Sequence, residues 1–150
     1  MRSKPRVLAR ARRAVAVLLG VGTAFVLSAA PASADLNDCA SGQGCLWANN
    51  SYTSAYYRTY DKVDNYDNKN WEIPSRTNVG NNASSSAGYG NTCNASFYAN
   101  TYQSGHNFNY YRPSIGGVIR DPNHSNGAGW GPYAGENWDN RISSLRWYCG

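Results

Sequence analysis

Short aromatic runs alternate with polar stretches rich in Asn, Ser and Gly along most of this chain. After Cys45 comes an apolar run, Leu46-Trp47-Ala48, followed by a polar turn at positions 49–52. Positions 55–60 then alternate with a period of two. Tyr56, Arg58 and Tyr60 fall on one side and Ala55, Tyr57 and Thr59 on the other, as expected of a strand. Positions 61–70 read as a polar loop, and Trp71-Glu72-Ile73 as a short third strand ended by Pro74. The same order then returns. Phe97-Tyr98-Ala99 matches Leu46-Trp47-Ala48, and Asn100-Thr101-Tyr102 matches the first polar turn with one residue fewer. A bend at Gly105 leads to a strand around Phe108 and Tyr110. A long Gly-, Pro- and Asn-rich loop spans 113–135, and a final strand places Ser143, Leu145, Trp147 and Cys149 on one alternate face. No stretch keeps the three-and-four spacing of an amphipathic helix. The pattern predicts an all-β chain.

Each block closes on a near-copy of one hexapeptide, NNASSS at 81–86 and DNRISS at 139–144. Amide or carboxylate oxygens followed closely by hydroxyls suit a hard cation such as calcium, which takes about six to eight oxygens. The same residue types also make ordinary turns by bonding to local backbone.

Residues 1–34 read as a secretory leader. Arg2, Lys4, Arg6, Arg10, Arg12 and Arg13 form a basic start, positions 14–28 an apolar run, and Ala32-Ser33-Ala34 a small-residue cleavage site. The run falls short of the roughly 20 apolar residues a membrane span needs, so no anchor is expected. Six of the chain's 14 Lys and Arg lie in this leader, and all nine Asp and Glu lie after it. The remaining domain, 35–150, is therefore close to neutral, and without a basic stripe it is not expected to bind nucleic acid. It holds ten Ile, Leu and Val against nineteen aromatics. Such a core must place many phenol hydroxyls while burying their rings, which suits layered sheets.

All four cysteines, Cys39, Cys45, Cys93 and Cys149, follow the leader, and export to an oxidising compartment makes two disulfides the economical reading. Three pairings are open. The favoured one joins Cys39 to Cys45 across a short loop and Cys93 to Cys149, tying the start of the second block to the chain end.

The duplicated blocks, each an aromatic strand, a polar turn with Tyr and small residues, a second aromatic strand and NNASSS or DNRISS, resemble the βγ-crystallin double Greek-key sandwich. Both hexapeptides match the N/D-N/D-x-x-S/T-S pattern of its calcium-binding members. The leader, the CASGQGC opening and the WDNRISSLRW ending further resemble a secreted actinobacterial family of peptidase inhibitors with this fold. The resemblance covers 39–150, divided into motifs at about 39–90 and 91–150. It implies a monomeric, secreted inhibitor of extracellular metalloproteinases. It also implies weak structural calcium sites, with ligands from Asn81, Asn82 and Ser85 and from Asp139, Asn140 and Ser143. Affinities of about 10⁻⁴ to 10⁻³ M are expected, as in other extracellular modules. Ser54 departs from the pattern by standing where glycine is usual, which predicts a looser first bend.

An inhibitor needs a stiff, exposed segment, and Gly117, Val118 and Ile119 are the most apolar candidates, with Val118 and Ile119 also reading as ordinary strand. The competing function is a cell-wall or carbohydrate-binding, or antimicrobial, module presenting Trp71, Trp130, Tyr133 and Trp138 as an aromatic platform, unless those rings fill the core. Catalysis is not expected: His106 and His124 sit in polar, loop-like sequence, and neither HExxH nor GxSxG occurs.

Overall fold

A computed structural model describes residues 34–72, 78–112 and 119–150. Seven strands form two antiparallel sheets. The strands are β1 (Gly44–Asn49), β2 (Thr53–Thr59), β3 (Ser85–Gly88), β4 (Cys93–Asn100), β5 (Ser104–Tyr110), β6 (Arg120–Asp121) and β7 (Ser144–Cys149). The first sheet has the order β2-β1-β3-β6 and the second β5-β4-β7. Val63 extends the second sheet beyond β7, exchanging both backbone hydrogen bonds with Leu145 at 3.0 and 2.9 Å.

Each half therefore lends its third strand position to the other half's sheet, Val63 to the second and β6 to the first. This interlocking makes two Greek keys related by a pseudo-twofold. The pairing registers fix the equivalence residue by residue: Trp47 pairs with Ser85 as Tyr98 pairs with Ser144, and Leu46 with Ser86 as Phe97 with Leu145. Ser51 N–H bonds to Pro122 O at 2.7 Å, and its counterpart Tyr102 N–H bonds to Asp64 O at the same length.

Three expectations are corrected here. The third strand position of the first half is Val63 and not Trp71 to Ile73. A lone apolar residue in a polar loop gives no period to read. Trp71 is buried and Glu72 only touches β2, its N–H bonding to Tyr56 O at 2.8 Å, while Ile73 lies outside the described residues. The two polar turns have equal length, closing Asn49 on Thr53 and Asn100 on Ser104. Nor is the first bend looser: Ser54 adopts φ 73° where Gly105 has φ 77°, and the neighbours match too, Ser51 and Tyr52 at 58° and 59° against Tyr102 and Gln103 at 54° and 53°. A serine held in this left-handed region costs about 1 kcal/mol that glycine escapes.

Between the sheets lie Leu46, Ala55, Val63, Tyr66, Trp71, Phe97, Phe108, Tyr110, Trp138, Ile142 and Leu145. Aromatic rings do most of the filling. Phe108 meets Trp138 edge-on at 4.8 Å and stacks on Phe97 at 5.3 Å, geometries that add to simple area burial. A second cluster lies on the outer face of the first sheet, where Leu36 and Cys39 pack over Cys45, Trp47, Tyr56 and Ala87. Both disulfides follow the favoured pairing. Cys39–Cys45 pins the incoming chain to that outer face, and Cys93–Cys149 joins directly paired residues of β4 and β7.

Candidate functional site

The two hexapeptides meet across the pseudo-twofold. Asn81 N–H bonds to Ile142 O at 2.9 Å and Asn140 N–H to Ala83 O at 3.0 Å, so each segment caps the other's backbone. Ser143 Oγ donates to Asn81 Oδ1 at 3.0 Å. Asn81 and Asn140 share a left-handed backbone, φ 55° and 57°, which asparagine tolerates better than most residues.

The structural register differs by one residue from the sequence match. Ser84 N–H bonds to Trp47 O as Ser143 N–H bonds to Tyr98 O. Ser84 is thus the counterpart of Ser143, and Ser85 that of Ser144. The hydroxyls of Ser85 and Ser144 each donate to the carbonyl that opens a polar turn, Asn49 O at 2.7 Å and Asn100 O at 2.6 Å. In this register NNASSS is read as GNNASS. Gly80 stands opposite Asp139, and Asn82 opposite Arg141. Asn82 turns its amide nitrogen toward Gly80 O and Asn78 O, at 2.8 and 3.3 Å.

Gly80 brings no side-chain oxygen, yet its corner does not lack a carboxylate. Asp67, from the turn Tyr66–Asn68, lies so close over Gly80 that a Cβ there would collide with it. The counterpart of Asp67 in the turn His124–Asn126 is Ser125. One corner thus pairs Asp67 with Gly80 and the other Ser125 with Asp139, leaving one carboxylate to each. Asp67 was missed because it lies outside the hexapeptide; a charge count over both loops would have pointed to it.

The donors suit calcium in kind. Among the described residues, Asp139 Oδ1 and Asn78 Oδ1 are buried without a hydrogen-bond partner, and such oxygens are costly to bury unpaired. Asn81, Asp139, Asn140 and the neighbouring carbonyls would hold the ion on one side of the twofold, and Asp67 with the 78–82 loop on the other. No three His, Cys, Asp or Glu side chains gather among the described residues, so most donors would be amide, hydroxyl and carbonyl oxygens.

Behind the corners lies a buried polar chain that the sequence did not announce. His124 lies in the turn between β6 and β7, as its loop-like sequence suggests, yet is fully buried. Its Nε2 lies 2.7 Å from Ser86 Oγ, which lies 2.8 Å from Tyr110 OH, and its Nδ1 is 3.4 Å from Ala83 O. Burial pushes the imidazole down to about 4, against smaller upward effects of the Ala83 carbonyl and Asp139. With no access from solvent, this serine and histidine act as a polar strut. His106, by contrast, stacks on Tyr133 at 3.8 Å and meets Glu136 at 3.0 Å, and hydrogen bonds from His106 and Arg141 hold that carboxyl below its usual range.

Of the inhibitory candidates, Gly117 and Val118 lie outside the described residues. Ile119 immediately precedes β6, and its carbonyl accepts Gly88 N–H at 2.8 Å. The four-ring platform does not form: Trp71 and Trp138 are buried, Tyr133 is half-buried beneath His106, and Trp130 alone of the four is well exposed.

This arrangement is the βγ-crystallin domain fold, two Greek keys with interlocked third strands and facing loop motifs. A solved structure titled for the evolution of the eye lens βγ-crystallin domain fold superposes with a TM-score of 0.55, at 12% identity, covering 74% of this chain and 89% of that one. At that identity the likeness is one of fold alone. No protein-family model and no curated protein matches the chain.

Proposed function

We propose that the protein is a secreted inhibitor of extracellular peptidases, metalloproteinases first among them, with calcium bracing its paired corners. The observation that carries this reading is how the residues flanking 113–118 are held. Before it, Arg112 N–H bonds to Asn94 Oδ1 at 3.0 Å and the Arg112 guanidinium to Thr92 O at 3.1 Å. After it, Ile119 O is held by Gly88 N–H at 2.8 Å. The ends are thereby fixed to different sheets, and each sheet has its own disulfide. Fixed flanks reduce the ordering entropy a protease must overcome when it grips a segment, the condition for tight inhibition. Burial of Trp71 and Trp138 between the sheets also counts against the four-ring platform of the competing reading.

Purified protein should be titrated against a panel of extracellular metallo- and serine peptidases at stoichiometric concentrations. Loss of activity of at least one metallopeptidase near equimolar protein is expected. Full activity of every enzyme in excess protein would overturn the proposal.

A further inference from the structure

The outer faces of the two sheets occupy equivalent places and are built differently. On the first, Trp47, Cys45, Tyr56 and Ala87 lie beneath the incoming chain at Leu36 and Cys39. The pairing registers put Tyr98, Ser96, Asn107 and Arg146 at the matching places on the second. No described segment covers that face as Leu36 and Cys39 cover the first. It holds a shallow groove of about 250 Å³ lined by Asn94, Ser96, Tyr98, Asn107, Asn109, Tyr111 and Tyr148.

Its floor is polar and buried. Ser96 is 2% and Tyr98 8% exposed, Ser96 Oγ bonds to Asn109 Oδ1, and Tyr98 OH lies 2.7 Å from Tyr148 OH. Burial first, then the Tyr148 hydrogen bond, pushes the Tyr98 phenol up to about 12, so it keeps its proton at neutral pH. The rim is aromatic. Tyr148 is 44% exposed under the Arg146 guanidinium. At the far edge Trp130, 50% exposed, pairs directly with Asn109 through hydrogen bonds of 2.8 and 2.9 Å, which puts both side chains on one face.

Three asparagines, Asn94, Asn107 and Asn109, lie within strands, where this residue is disfavoured. Asn109 is spent within the fold, its Oδ1 on the Ser96 hydroxyl and its Nδ2 on Trp130 O at 3.3 Å, but fold stability does not account for the other two. Among the described residues the Asn107 amide has no hydrogen-bond partner and Asn94 uses only its oxygen, on Arg112 N–H. Amide and phenol groups between flat rings, with no carboxylate in the lining, are the chemistry that recognises sugar hydroxyls and apolar ring faces. From β7 to Trp130 the face crosses three strand spacings, about 14 Å.

We infer that the outer face of the second sheet binds an extended, uncharged polysaccharide, with Tyr148 and Trp130 as stacking rims and the unused amide groups of Asn94 and Asn107 as hydroxyl readers. Asn94 also anchors the flank of segment 113–118, but the residues varied below, Trp130, Tyr148 and Asn107, make no described hydrogen bond to Arg112 or Ile119, so the outcome is independent of inhibition.

The test is retention of the full secreted chain on insoluble chitin and insoluble cellulose, with heparin resin for comparison. Retention on chitin or cellulose, released by the matching soluble oligosaccharide, is expected. Trp130→Ala and Tyr148→Ala should each weaken it by about fivefold or more, the effect of about 1 kcal/mol of aromatic contact. Asn107→Ala, which breaks no described hydrogen bond, should weaken it while leaving the melting temperature unchanged. Tyr102→Ala, at a still more exposed tyrosine off this face, should leave binding intact. No retention on either polysaccharide, retention on heparin alone, or equal loss in Tyr102→Ala would overturn the inference.

Discussion

Tyr66 and His124 occupy the same place in the two Greek keys, each with its N–H on the residue before the closing strand, Ser143 O at 2.8 Å and Ser84 O at 3.0 Å. Around Tyr66 the next strand presents Leu145, and the Tyr66 hydroxyl has no partner. Around His124 it presents Ser86, and a chain of hydrogen bonds runs on to Tyr110. One backbone thus carries an apolar contact in one half and a polar strut in the other. The same exchange recurs at the corners, where Asp67 and Gly80 have Ser125 and Asp139 as their counterparts, and on the outer faces, Trp47 against Tyr98. Duplication fixes the register of main-chain bonds and leaves each half free to differ in chemistry.

The largest contrast lies in the bridges. Cys93–Cys149 closes a separation of 56 residues and Cys39–Cys45 one of 6. On the loop-entropy model their removal costs about 4 and about 2 kcal/mol respectively. Urea unfolding of paired Cys→Ser variants should show this order, and equal losses would place the short bridge's value in the outer cluster it pins.

His124 comes next. Its folded value of about 4 lies below its ordinary 6.5, so the unfolded chain takes up a proton first. Stability is greatest above about pH 6.5, falls as pH drops toward 4 and loses nothing further to this group below that. The fall is about 3 kcal/mol. Denaturation midpoints measured from pH 7 to 4 should drop accordingly, and His124→Phe, which imitates the aromatic filling of the other half, should flatten that slope. Asp64 and Glu136, whose carboxyls are held low by hydrogen bonds, act in a lower window, whereas Asp121, pushed up by burial, gains stability as the pH falls and partly opposes the loss at the acid end.

The smallest contrast is in the bends. Ser54→Gly should raise stability by about 1 kcal/mol, because it relieves a left-handed serine. Gly105→Ala should lower it by at least as much, since a Cβ would come within 2.6 Å of the Asn100 amide as well as meeting the backbone penalty. Thermal melts of the two variants should move in opposite directions.

Much of this was legible in the chain. Aromatic strands and paired hexapeptides were enough to read the sheet class and the duplication. Four cysteines with a short and a long spacing gave the bridges. What escaped has a common cause. Val63, Arg120 and Asp121 enter the opposite sheet through one or two residues, too few for any periodicity. The register of NNASSS is ambiguous because three successive serines satisfy the pattern in two frames, and only the bond from Ser84 to Trp47 selects between them. The burial of His124 within its turn was not legible because its partners, Ser86 and Tyr110, are distant along the chain.

The paired corners are tested most directly by the melting temperature of the protein as calcium is raised to about 10 mM and then removed with chelator. If the facing motifs hold calcium at about 1 mM, tenfold excess adds about 1.4 kcal/mol. That corresponds to a rise of about 5 °C, reversed by chelator and reduced by Asp139→Ala or Asp67→Ala. An unchanged melting temperature across the titration would contradict the account.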